Sequence, residues 1–150
     1  MHMFLPLDPK GKPTHQNGFR FNRKTGTTFK TQKQKAWEAE LKAALAPYAD
    51  NAPDIGGCPV YLKWAFHYAT KDRKKLSTWK TSKPDTDNLV KTPKDIMQKL
   101  DFFKDDSQVA YEVIQKVWST EPGIEITLAP MPADISDLIY LEANDPDWAV

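Results

Sequence analysis

Val60-Tyr61-Leu62-Lys63-Trp64-Ala65-Phe66-His67-Tyr68 alternates along its length, with Val60, Leu62, Trp64, Phe66 and Tyr68 on one side and Lys63 and His67 on the other. A period of two marks a half-buried strand, and His67 on its polar side reads as a surface residue rather than a ligand. Toward the C-terminus, residues 71–83 form a basic loop and residues 88–100 a helix with Leu89, Ile96, Met97 and Leu100 on its inner face. Asp87 fits the N-cap position of that helix. Pro93 lacks the amide that would bond the Leu89 carbonyl, so a bend is expected there. Residues 108–118 and 123–129 read as two strands joined by the turn Glu121-Pro122-Gly123.

Toward the N-terminus, residues 50–59 are a Pro- and Gly-containing linker. Before it, Thr31-Gln32-Lys33-Gln34 has the form of a capping box. Trp37, Leu41, Ala44, Leu45 and Tyr48 then repeat at helical spacing, and Pro47 is expected to end the helix near Ala46. Residues 8–30 are polar and basic. Within them Phe19-Arg20-Phe21 and Thr27-Thr28-Phe29 flank a turn at 22–26, which suits a small hairpin or a mobile arm. Residues 3–7 fit a short strand that Pro6 confines to an edge or an end. The element order β-α-β-α-β-β predicts a single small α/β domain over residues 1–130, with a mixed sheet of about four strands and two helices packed on it.

The net charge of +1 hides an asymmetry. Residues 131–150 hold Asp134, Asp137, Glu142, Asp145 and Asp147 and no Lys or Arg, so residues 1–130 carry +6. The last twenty residues read as an acidic tail with an apolar anchor at Leu138-Ile139-Tyr140-Leu141. The positive charge clusters at Lys10, Lys12, Arg20, Arg23, Lys24 and Lys30, and again at Lys71, Arg73, Lys74, Lys75, Lys80 and Lys83. A charge run alone is usually a solvated face, but two runs flanking a carboxylate cluster point to nucleic acid. A single cysteine, Cys58, excludes an intramolecular disulfide framework and a cysteine zinc site. His2, His15 and His67 lack metal-ligand spacing. No signal peptide or membrane span is evident, which leads us to expect a cytoplasmic protein.

Asp85-Thr86-Asp87-Asn88-Leu89-Val90-Lys91 and Lys104-Asp105-Asp106-Ser107-Gln108-Val109 bracket the second helix. Converging carboxylates resist ionisation unless a cation offsets them, and hard oxygen donors suit Mg²⁺ or Mn²⁺. Asp85, Asp87 and Asp106 are expected to hold one or two such ions, with the αβ connection bringing the second cluster back beside the first. Lys91, one turn after Asp87, would offset charge growing on a phosphoryl group. Each piece has an ordinary reading too: Asp87 as a mere cap, Lys91 paired with Asp95. Arg20, Arg23, Lys24, Lys71, Arg73, Lys74, Lys75, Lys80 and Lys83 are the expected nucleic-acid contacts.

The same runs resemble the signature of the RusA-like Holliday junction resolvases, Asp-x-Asp-Asn-Leu-x-Lys, a helix, then Asp-Asp-x-Gln-Val. The resemblance covers about residues 60–128 and weakens over 1–59. It implies a homodimeric, Mg²⁺-dependent endodeoxyribonuclease of bacterial or phage origin that resolves four-way junctions by paired symmetric nicks during recombination and repair. It matches Asp85, Asp87 and Asp106 to the essential acids, Lys91 to the essential lysine, Asp105 to a neighbouring acid, and Asn88 to a structural position, and the four acids Asp85, Asp87, Asp105 and Asp106 are the metal ligands expected from it. Two-fold symmetry suits a substrate that needs two matched cuts. Phe102 and Phe103 are candidates for a dimer contact or a wedge at the crossover, against plain core packing. The alternatives are a branched-DNA-binding protein without catalysis, a nuclease acting mainly on flaps and forks, and an acidic-tailed protein with structural Ca²⁺; no EF-hand spacing supports the last.

Overall fold

The computed structural model describes residues 1–14 and 18–137. His15 and the expected apolar anchor at 138–141 lie outside the described residues. Four strands, β1 (His2–Leu5), β4 (Val60–Ala69), β5 (Val109–Ser119) and β6 (Gly123–Pro130), form one sheet in the order β1-β6-β4-β5. β4 runs parallel to β5 and antiparallel to β6, which in turn pairs antiparallel with β1. β2 (Phe19–Asn22) and β3 (Thr27–Lys30) make a separate antiparallel hairpin, the small hairpin of the two readings left open.

The alternation in β4 decides the layers. Val60, Leu62, Trp64, Phe66 and Tyr68 are buried against α1 (Gln32–Ala49) and α2 (Thr86–Lys99), together with Ile124, Ile126 and Leu128 of β6. Both helices lie on this face. The opposite face carries Tyr61, Lys63 and His67 of β4, with Phe4 half exposed beside them. His67 there bonds Glu125, at 3.1 Å. Phe102 and Phe103 are both buried in the core, so neither is a surface wedge.

The helix ends differ from expectation in instructive ways. α1 continues through Pro47 to Ala49. Pro47 is exposed in the last turn, where the one carbonyl it leaves unbonded can meet water. Thr31 does cap α1, its Oγ1 accepting from the Gln34 amide at 3.1 Å, but Gln34 does not reciprocate. Its side-chain amide instead donates to Glu38 and to Thr92 Oγ1, at 3.0 Å each, tying α1 to α2. α2 starts at Thr86, so Asp85 takes the N-cap position and Asp87 falls in the first turn. The inner face of α2 is Val90, Pro93, Ile96 and Met97, with Leu89 and Leu100 only partly buried. α2 runs unbroken through Pro93.

Candidate active site

The turn that carries Asp85 is held from below by two lysines. Lys80, only 7% exposed, donates from Nζ to Ser82 O at 2.8 Å, to Ser82 Oγ at 2.9 Å and to Lys83 O. Lys116 of β5 donates to Ser82 O at 2.9 Å and to Pro84 O at 2.6 Å. Lys80 also stands over the rings of Tyr68, at 4.7 Å, and Trp118, at 5.6 Å. Burial, reinforced by the charge of Lys116, lowers the Lys80 pKa from its ordinary value. Lys80 is therefore a structural clamp on the turn, not the surface phosphate contact expected from its place in a basic run. Beneath it the Tyr68 hydroxyl is buried without a hydrogen-bond partner, and burial, with the Asp8 charge adding, pushes its pKa up to about 12.

Above the clamp, the α2 N-terminus presents its acids outward. Asp85 is extended, at φ −74° and ψ 147°, and its side chain makes no capping bond. Asp87 is exposed in the first turn, where the helix dipole favours a carboxylate. Asn88 is 5% exposed; its Nδ2 lies 3.4 Å from Asp87 Oδ1, while its own Oδ1 is buried with no partner. A cleft of about 350 Å³ opens here, lined by Pro9, Lys12, Thr14, Lys83, Asp85 and Asn88. Its far wall, residues 9–14, was missed in the sequence, because nothing local announces that a chain segment before the hairpin folds over a helix start seventy residues on. Lys91 is exposed one turn beyond Asp87, and no ion pair joins it to Asp95 among the described residues.

The second acid cluster stands on a turn that closes on itself. Residues Asp106–Gln108 form a single 3-10 turn with Asp105 as N-cap. Asp105 Oδ1 accepts from the Ser107 amide at 2.9 Å, and hydrogen bonds from Ser107 hold its carboxyl below the usual carboxylate range. Gln108 Oε1 accepts from the Lys104 amide at 2.8 Å and the Asp105 amide at 3.1 Å, the reciprocal capping box that the Thr31 turn lacks. Its Nε2 donates to Gly56 O at 3.2 Å and Cys58 O at 3.0 Å, fixing the turn to the loop before β4. Asp106 is left exposed.

The two clusters do not meet within one chain. Lys116, seven residues into β5, reaches the turn at Pro84, whereas Asp106 precedes the first residue of β5. Lys94, midway along α2, pairs with Glu112 of β5 at 2.8 Å, so helix and strand run in opposite directions side by side. A 14-residue helix spans about 20 Å, and the clusters sit at its two ends. Among the described residues no three His, Cys, Asp or Glu side chains gather as a metal-holding group. The expected convergence of Asp85, Asp87 and Asp106 in a single chain is thus overturned. The physical reason is general: in a parallel β-α-β unit the helix starts at the C-terminal edge of the strands and ends at their N-terminal edge.

The expected nucleic-acid contacts other than Lys80 are on the surface. Arg20, Arg23 and Lys24 are exposed on the hairpin with Phe21 and Phe29, while Phe19 is half-buried. Lys71, Arg73, Lys74 and Lys75 are exposed in the loop after β4, and Lys83 borders the cleft. No described helix is long and apolar enough to cross a membrane.

Comparison with known proteins bears on the same region. The chain is 43% identical over 70 residues to a crossover junction endodeoxyribonuclease rusA of Lactococcus phage r1t, covering 47% of this chain and 53% of that protein. It is 43% identical over 53 residues to the uncharacterised protein YqaN of Bacillus subtilis (strain 168), covering 35% of this chain and 37% of that protein. The chain spans about half the length, or less, of these curated relatives. The endodeoxyribonuclease RusA family profile matches residues 10–129, from the wall of the cleft to the end of the sheet. With that match over most of its length, the chain belongs to the RusA endodeoxyribonuclease family.

Proposed function

We propose that this chain is a metal-dependent, structure-selective endodeoxyribonuclease that resolves four-way DNA junctions by paired nicks, acting as a homodimer in a bacterial or phage-infected cytoplasm. The observation that carries the reading is the clamped turn before α2. It holds Asp85, its side chain free of any capping bond, in the lining of a cleft, with Asp87 exposed in the helix turn beside it, in a chain of this family. The donor chemistry fits Mg²⁺, with Mn²⁺ as a substitute: two carboxylates and the unpartnered Asn88 Oδ1 are hard oxygens at one helix start. When bound, the metal supplies polarisation of the scissile phosphate and a water of lowered pKa.

The chain's own groups do the rest. Lys80 and Lys116 hold the turn so that Asp85 keeps its position as phosphate charge approaches. Lys91 offsets charge on the phosphoryl oxygens. The exposed cations of the hairpin and of residues 71–75 hold the DNA arms, with a steep dependence on salt. Asp106 belongs to the same chemistry but lies a helix length away. A two-fold pair in which Asp105 and Asp106 of one protomer face Asp85 and Asp87 of its partner would complete two sites at once, which is what two matched cuts require. Residues 1–130 make up the nuclease unit in this reading, and residues 131–150 an acidic appendage. The branched-DNA-binding alternative finds no support in α2, which passes Pro93 without a break that would displace Lys91.

The test is nicking of a synthetic four-way junction against matched linear duplex in Mg²⁺, by the full chain and by Asp87→Asn. Paired cuts near the crossover, lost in the variant while junction binding in Ca²⁺ survives, are expected. Tight binding with no cutting by either protein would leave a binding module instead.

A further inference from the structure

We propose that Trp79 is a platform on which one unpaired nucleobase stacks, at a groove separate from the acid turn; the inference rests on the DNA-cleaving reading and names a further part of its substrate. Residues 77–80 lie along the last part of β5. The Ser77 amide donates to Trp118 O at 3.0 Å, the Trp118 amide to Thr78 O at 2.9 Å, and the Lys80 amide to Lys116 O at 2.8 Å. Trp79 bridges Val117 in this pairing. Side chains alternate along such a segment. Lys80 turns inward onto Tyr68 and Trp118, and Trp79 turns the other way, toward the helix-free face of the sheet, where it is 66% exposed. Its indole borders a groove of about 460 Å³ lined by His67, Leu76, Val117 and Trp118.

An indole fixed on hydrogen-bonded backbone, mostly in water and continuous with a groove lined by Leu76, Val117 and Trp118, offers a held apolar face to a ligand. The surrounding charge selects the partner. Lys71, Arg73, Lys74 and Lys75 of the same loop are all exposed. An aromatic face beside a row of cations matches a base together with its flanking phosphates. Paired duplex hides its base faces, whereas a branch point offers bases that can unstack. A second copy of this chain is the competing occupant, but meeting groove to groove would set one row of loop cations against the other. Trp79 lies six residues before Asp85, and the intervening carbonyls are held by Lys80 and Lys116. A base on the indole is therefore kept at a fixed offset from the cleft.

The experiment measures equilibrium binding in Ca²⁺ to a four-way junction carrying 2-aminopurine at the branch point, to a single-stranded oligonucleotide and to blunt duplex. It uses the full chain, Trp79→Ala and Trp79→Phe, with circular dichroism to confirm folding. Trp79→Ala should weaken junction and single-strand binding about tenfold and abolish the stacking quench of 2-aminopurine, with duplex binding unchanged. Trp79→Phe should recover most of the affinity. The salt slope should stay that of the wild type in Trp79→Ala and fall in Lys74→Ala/Lys75→Ala. Unchanged single-strand and junction binding in Trp79→Ala, equal losses in the Ala and Phe variants, or a change of oligomeric state in light scattering would overturn the proposal, the last by assigning the indole to a second copy. Should the wild type show no preference for junction over duplex, the resolvase reading fails; the single-strand comparison still decides the role of Trp79.

Discussion

Asp85 stands on a turn whose carbonyls are gripped by Lys80 and Lys116 from the body of the fold, whereas Asp105 and Asp106 stand on a turn that closes on itself through Gln108. The difference is in what each arrangement leaves over. In the first, cations from elsewhere hold the turn by its carbonyls, and the Asp85 carboxylate makes no capping bond to the helix amides. In the second, Asp105 is exposed but commits its carboxylate to the Ser107 amide as the cap, and Asp106 stands exposed beside it. Two adjacent acids in the sequence therefore differ in what they bond, and in the proposed homodimer the two clusters, one at each end of α2, would meet only between chains.

The largest expected effects separate those roles. Asp106→Asn should reduce nicking by about a thousandfold, the scale of losing a charge-stabilising group in a site, with junction binding retained. Asp105→Asn, whose amide oxygen still accepts the Ser107 amide, should cost no more than about tenfold. Mixing Asp87→Asn with Asp106→Asn subunits tests the division between chains directly. If each site takes acids from both protomers, the mixed dimer has one intact site and one doubly altered, so single-strand nicks return without paired resolution. Two sites complete within single chains would both stay dead.

The clamp comes next. Lys116→Met removes the donor to Ser82 O and Pro84 O, leaving carbonyls beside Asp85 short of a partner; a loss of about 1–3 kcal/mol in chemical denaturation is expected. Nicking should fall more steeply than stability, because the turn it holds carries the acids. Lys80→Met should destabilise by a similar amount, with part of the loss restored by packing of the thioether against Tyr68 and Trp118. Equal nicking by wild type and Lys116→Met would show that the turn holds its shape without the clamp. Gln108→Ala, which loses bonds to four backbone groups, should cost about 2 kcal/mol yet act on nicking only through the placement of Asp106.

Much of this architecture is legible from residue order alone. The alternation of Val60 to Tyr68 and the turn at Glu121-Pro122-Gly123 placed the central strands, because period-two burial is a local property. The motif residues likewise announced both acid turns. What stayed hidden depends on contacts distant in sequence. Lys80 sits in a run of lysines and looks like its neighbours; only the tertiary fold shows that its partners are carbonyls two and three residues on, under the rings of Tyr68 and Trp118. Gln34 completes a capping-box pattern, yet the Thr31 amide that it would accept donates to Gly18 O, and the Gln34 side-chain nitrogen donates to Thr92 of α2. The separation of Asp85 from Asp106 was in principle readable, since a helix between parallel strands must run back along them.

The smallest effect concerns acid. Hydrogen bonds from Ser107 hold the Asp105 carboxyl below its ordinary range, so its folded pKa lies under its unfolded one. A group shifted in that direction contributes stability that is present above the unfolded value, near 3.9, and is lost as pH falls through the folded value. Asp105 is fully exposed, and solvent screening keeps the contribution small. Asp105→Asn retains the capping oxygen without the titration. Its melting temperature should therefore fall about a degree less than that of the wild type between pH 5 and pH 3. Asp85→Asn makes the same charge change at the N-cap whose side chain bonds nothing in the helix, and serves as the control. If both variants flatten the acid limb equally, net charge rather than the self-closed turn is responsible, and the contrast between the two acid turns loses its electrostatic half.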